Sequence, residues 1–78
     1  MLPIQCKMAR VALDLGLRKL ARIAQVAPAT VSRFEDGAEL KPRTVAAIRA
    51  ALESAGVEFT NGGQPGVRMK TAPPRAPV

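Results

Sequence analysis

From Ile4 to Ala55 the apolar residues recur every three or four positions, and beyond Gly56 they alternate with polar ones. The first spacing belongs to helices with one buried face, the second to strands. Ile4, Met8, Val11, Ala12 and Leu15 fall on one stripe and predict a first helix buried along it. Gly16 serves as N-cap for a second helix. There Leu17, Leu20, Ala21 and Ala24 share a face, while Arg18, Lys19 and Arg22 point away. Pro28 suits the first turn of a third helix, where a backbone N–H has no intrahelical acceptor to lose. That helix is expected to bury Val31 and Phe34 and to stop at Gly37. Pro42 opens a fourth, with Val45, Ile48, Leu52 and Ala55 inward and Gly56 as its stop.

After Gly56, "VEFT" and "VRMK" flank "NGGQPG" and predict a β-hairpin with a long turn. A lone hairpin is marginal in water, so Val57, Phe59, Val67 and Met69 need a surface to cover. That surface is either this chain's own helices or a second copy, and the expected role is a dimer interface. The closing "TAPPRAPV" is Pro-rich and is expected to be a disordered tail. The chain thus divides into a helical domain at 1–56, a hairpin at 57–70 and a tail at 71–78.

Composition narrows the function. Seventy-eight residues allow one domain with a thin core, one that buries only about 60% of its unfolded surface. At this length no sensory domain is expected. Twelve basic residues against six acidic ones give a net charge of +6, which favours an anionic partner. No apolar run is long enough to span a bilayer, and "MLPIQCKMAR" has no secretory-signal pattern. A basic membrane-surface helix is disfavoured because aromatic residues are nearly absent. The single Cys6 suits a reducing cytoplasm and reads as a small buried apolar residue. With no histidine, no Gly-rich phosphate loop and no zinc-type spacing, the chain is expected to be no enzyme and to carry no cofactor or metal.

"LARIAQVAPATVSRFEDG", residues 20–37, places two short helices on either side of a brief turn. Two such helices can cross steeply only if the contact residue is small, and Ala21 sits at that crossing, with Val26 and Val31 sealing the turn. This is the helix-turn-helix arrangement, in which the first helix braces the second across a groove of DNA. Pro28, Ala29, Ser32 and Arg33 would then meet base edges, and Thr30 would face phosphate near the positive end of the helix dipole. Arg18, Lys19 and Arg22 lie where phosphates are expected.

The run "LARIAQVAPATVSRFEDGAELKPRTVAAIRAAL" resembles the helix-turn-helix of the Xre/Cro family of phage and bacterial repressors. Leu20, Ala21, Val26, Val31, Ser32, Glu35 and Gly37 carry the likeness, which extends from about Ile4 to Ala55. The resemblance implies an all-α fold, a compact four-helix lambda-repressor-like domain, here with a short C-terminal β-hairpin. It also implies an ion pair between Arg10 and Glu35. Lys41 and Arg43, on the loop before the fourth helix, are expected at the backbone, with Arg43 reaching toward the minor groove.

Three departures from the family pattern involve four positions. Leu17 stands where a glutamine usually bonds phosphate, Gln25 replaces a turn glycine, and Pro28 and Ala29 replace long base-reading side chains. Direct readout would then rest on Arg33 and Ser32, with Ala29 against a thymine methyl and DNA shape supplying the remainder. The expected function is a sequence-specific, double-stranded-DNA-binding transcriptional regulator, a homodimer on paired half-sites with no small-molecule ligand. Its alternative is a protein-interaction module on the same fold, such as an antitoxin or anti-activator.

Overall fold

Proline opens three of the four helices, each time at the first position, where its missing N–H and fixed φ favour initiation. The computed structural model describes residues 1–60 and 64–70, so the tail expected at 71–78 and the turn residues 61–63 lie outside the described residues. Helix α1 spans Pro3–Ala12, α2 Leu17–Ala24, α3 Pro28–Glu35 and α4 Pro42–Ala55. Strands β1 (Val57–Thr60) and β2 (Gly66–Met69) follow and form a two-stranded antiparallel sheet. The protein is therefore a small, mostly helical domain with one hairpin. Leu20, Ala21, Val31, Phe34, Ile48, Ala51, Leu52 and Val57 meet in a single core with Cys6 and Ala9.

Three turns were legible. Gly16 caps α2, and Gly37 and Gly56 adopt φ of 99° and 120° beyond α3 and α4, a region only glycine enters freely. Gln25, which closes α2, is left-handed as well, at φ 61° and ψ 45°. A side chain there is strained by roughly 1–2 kcal/mol, and part of the relief given by glycine is lost to its freer unfolded chain. Gln25→Gly should therefore raise stability by about 1 kcal/mol, read as a higher urea midpoint at unchanged slope. A midpoint that stays put would show that the exposed glutamine makes compensating contacts.

Two inward assignments need correction. Helix α1 buries Gln5, Cys6 and Ala9, not the stripe of Ile4 and Val11, which are 53% and 68% exposed. At about 100° per residue that stripe lies nearly opposite the buried face. Small Cys6 and Ala9 let α1 come close to α3 and α4, where a larger side chain would hold them apart. On α4, Ala51 is buried and Ala55 is exposed: Ala55 lies on the inward face but at the last residue, beyond the end of the core.

The hairpin lies on the helices of its own chain. Val57 pairs with Met69 and Phe59 with Val67. Val57 is fully buried, and Phe59 and Val67 pack against the core. Strand β1 rests on α4 and β2 on α1. The buried Gln5 fastens this contact: its Nε2 donates to the Thr60 carbonyl at 3.1 Å and the Gly66 carbonyl at 3.0 Å. Its Oε1 accepts the Leu2 N–H at 2.7 Å, so the buried amide is satisfied on both ends. Arg49 sits 5.4 Å over the Phe59 ring while bonding Glu53 at 2.9 Å. A cut after Gly56 would remove Val57 from the core and leave Gln5 without acceptors, rather than detach an appendage.

Candidate nucleic-acid interface

Only Gln25, Val26 and Ala27 separate α2 from α3. The Val26 N–H donates to the Ala21 carbonyl at 2.9 Å, which turns the chain back over the end of α2. Ala21 and Val31 are essentially without exposure at this crossing, so small and β-branched side chains set how closely the two helices approach. Above the crossing lies an open depression lined by Arg18, Ala21, Arg22, Val26 and Pro28. Arg18 and Arg22 are one helical turn apart on the same flank, so two guanidinium groups rim an apolar floor.

Pro28 is the residue of α3 that lines the depression; the outward face of that helix carries three more of the expected residues. Ala29, Ser32 and Arg33 share it by spacing; Ala29 and Arg33 are exposed and Ser32 is half-buried. Two expected members stand apart. Lys19 is exposed but lies about 100° around α2 from Arg18 and does not line the depression. Thr30 is half-buried, on the flank of α3 turned away from Pro28. Lys41 and Arg43 are both exposed, but Arg43 is the second residue of α4 and not part of the preceding loop. Pro42 starts the helix one residue before it, so Arg43 leaves the helix N-terminus from a fixed backbone.

Charge is arranged unusually around these residues. Glu35, Glu53 and Glu58 are taken by Arg10, Arg49 and Arg68. Among the described residues Arg18, Lys19, Arg22, Arg33, Lys41 and Arg43 make no ion pair. No helix has an acidic residue in its first turn. Instead Arg18 and Lys19 occupy the first turn of α2, and Arg43 that of α4. Cations at the positive end of a helix dipole oppose folding by some tenths of a kcal/mol each. An anion placed against these helix ends would relieve both the dipole and the side-chain charge.

The orientation of α3 is held from α1. Arg10 Nε and Nη2 donate to the Glu35 carboxylate at 2.8 and 2.9 Å, a two-pronged pair whose side chains are 17% and 7% exposed. Arg10 Nη1 also reaches the Leu15 carbonyl at 3.3 Å, and the Cys6 thiol donates to Glu35 Oε2 at 3.3 Å. Burial alone would raise the Glu35 carboxyl. Hydrogen bonds from Arg10 and Cys6, with the charges of Arg10 and Lys7, outweigh it and hold Glu35 below the usual carboxylate range. The hydrogen bond to Glu35 likewise raises the Arg10 guanidinium. Cys6 moves the other way: burial first, then the bond to Glu35 and its charge, push the thiol up to about 12. It is therefore protonated and unreactive at neutral pH. The Arg10–Glu35 pair was expected from the family resemblance; the thiol contact and the Gln5 clamp were not legible, since no motif marks either of them.

No protein-family model matches the chain, and no curated protein is detectably similar to it in sequence. No helix among the described residues is long and apolar enough to cross a membrane.

Proposed function

We propose that the chain is a sequence-specific regulator of transcription that binds double-stranded DNA, of the lambda-repressor-like Xre/Cro type. The observation that carries this reading is a short-helix crossing rimmed by the unpaired Arg18 and Arg22, with further exposed, unpaired cations on the second helix and at the start of α4. Arg18 and Arg22 rim the crossing of two short helices, Arg33 projects from the second of them, and Lys41 and Arg43 stand at the start of α4. In this reading α2 and α3 form a helix-turn-helix. Helix α3 enters the major groove with Ala29, Ser32 and Arg33 toward base edges, while Arg18, Arg22, Lys41 and Arg43 neutralise phosphates. The protein acts in the cytoplasm, without catalysis or cofactor, as a homodimer on paired half-sites. Met69, 46% exposed on β2, and the open strand edges offer the hairpin's remaining surface for that pairing.

Binding to the DNA upstream of its own gene, measured against scrambled duplex across a salt series, tests the reading. About four phosphate contacts per protomer, eight per dimer, should give a log–log slope of roughly −7. A slope near zero, or no binding to any duplex at low salt, would instead support the second reading. That reading, a protein-interaction module such as an antitoxin or anti-activator, draws on the exposed Ile4 and Val11 of α1, an apolar stripe that the fold leaves uncovered.

A further inference from the structure

The α3 face that carries Ala29, Ser32 and Arg33 has a fourth member. Asp36 lies seven residues beyond Ala29 and four beyond Ser32, and so falls at the centre of that face. It is exposed, and its backbone is fixed as the C-cap of α3: φ is −86° and ψ 2°, and its N–H donates to the Ser32 and Arg33 carbonyls at 3.1 and 3.2 Å. Gly37, at φ 99°, then diverts the chain. The side chain therefore leaves from the ordered end of α3, about 4.5 Å along the axis from Arg33. Arg33 is also exposed, yet the two make no ion pair.

This position is doubly unfavourable for an ordinary surface carboxylate. An anion at a helix C-terminus opposes the dipole. On a surface that meets phosphates, it also repels every duplex equally. Both penalties are offset only if the bound partner offers Asp36 a hydrogen-bond donor. In the major groove the donors are the exocyclic amines, and the amine that a carboxylate takes without a competing acceptor beside it is N4 of cytosine.

We propose that Asp36 is a specificity-determining residue that accepts a hydrogen bond from cytosine N4, within one base pair of the base edge that Arg33 meets. This rests on the DNA-binding reading above. Asp36 then discriminates in both directions: it adds a contact on the right sequence and repulsion on all others. It also supplies what Pro28 and Ala29, with no polar side-chain atoms, do not.

Binding-site selection from a randomised duplex pool, with the full chain as wild type, Asp36→Ala and Asp36→Asn, tests the assignment. In the wild type one position of each half-site should favour cytosine by about tenfold. Asp36→Ala should lose that preference and bind scrambled duplex about threefold more tightly, because one like charge has left the phosphate-facing surface. Asp36→Asn should move the preference at the same position toward adenine, whose N6 and N7 an amide can take together. If both variants select the wild-type sequence, Asp36 reads no base and the assignment falls while the DNA-binding reading stands. If the wild type binds no duplex at low salt, the two fall together.

Discussion

Replacing Glu35 by alanine is expected to remove about 3 kcal/mol of folding stability, because it leaves the Arg10 guanidinium buried without its counterion. The two side chains are 17% and 7% exposed and joined by two hydrogen bonds, so water replaces little of what is lost. The Leu15 carbonyl retains one contact with Arg10, which keeps the loss at the lower end for a broken buried pair. Cys6 loses its acceptor too. For a domain of this size the loss corresponds to a melting temperature lower by on the order of 15 °C. Replacing both partners, as Arg10→Met with Glu35→Leu, should restore most of it, since the price of desolvating two charges disappears with them. A single variant that melts within about 3 °C of wild type would show that the pair contributes geometry alone.

Acid should act through the same carboxyl. Glu35 is held below its ordinary value of 4.5, so its contribution is present above about pH 4.5 and is lost as pH falls through the lower folded value. The stability gap between wild type and Glu35→Ala should therefore be constant from pH 7 to 5 and close below that. Urea melts at pH 7, 4 and 3 read the gap directly, and the remaining carboxylates, common to both proteins, cancel.

Local signals in the sequence located the elements well, because each boundary is written in a few adjacent residues. Pro28 and Pro42 open their helices, Gly37 and Gly56 end them, and the switch of period at Gly56 marks the hairpin. What faced inward was less legible. The apolar stripe of α1 is real, yet the fold turns it outward. The competing face pairs small Cys6 and Ala9 with a polar residue, Gln5, whose acceptors lie 55 and 61 residues away. A periodicity argument weighs the size of apolar side chains; it has no knowledge of which face permits the closest helix contact, nor of distant carbonyls that satisfy an amide.

The candidate surface was legible to a different degree. Arg18, Arg22, Pro28, Ala29, Ser32 and Arg33 follow from helical spacing once α2 and α3 are placed: Arg18, Arg22 and Pro28 line one depression, and Ala29, Ser32 and Arg33 share the outward face of α3 by spacing. Lys19 was expected to point away from the core with Arg18 and Arg22, and Thr30 to face phosphate at the positive end of α3; Lys19 lies about 100° around α2 from Arg18, and Thr30 is half-buried on the flank turned away from Pro28. Arg43 was expected on the loop although Pro42 already opens the helix by its own signal; as the next residue, Arg43 lies inside α4. Asp36 was passed over because an acidic residue on a basic protein looks like solvent-facing balance until its place on the α3 face is known.

Reversing Arg18 and Arg43 together should separate binding from folding. Each is the second residue of its helix, α2 and α4, where a carboxylate favours the dipole and a cation opposes it. Neither makes an ion pair among the described residues, so no partner is orphaned. Arg18→Glu with Arg43→Glu should therefore hold or raise the melting temperature, by about 1 kcal/mol in total. Affinity for duplex DNA should fall on the order of a hundredfold or more, and the salt slope should flatten from roughly −7 to about −4, since four of the eight phosphate contacts per dimer are gone. A control with the same change in net charge, Arg49→Glu with Arg68→Glu, alters pairs with Glu53 and Glu58 that lie outside the proposed surface. Exposed pairs of that kind contribute little, so the control should stay folded and keep a slope near the wild-type value. If both double variants lose affinity equally, the cations act through overall charge and the surface around α2 and α3 has no special role. Should Arg18→Glu with Arg43→Glu bind DNA as the wild type does, phosphate contacts at these helix starts are excluded, and the uncovered stripe of Ile4 and Val11 becomes the surface to pursue.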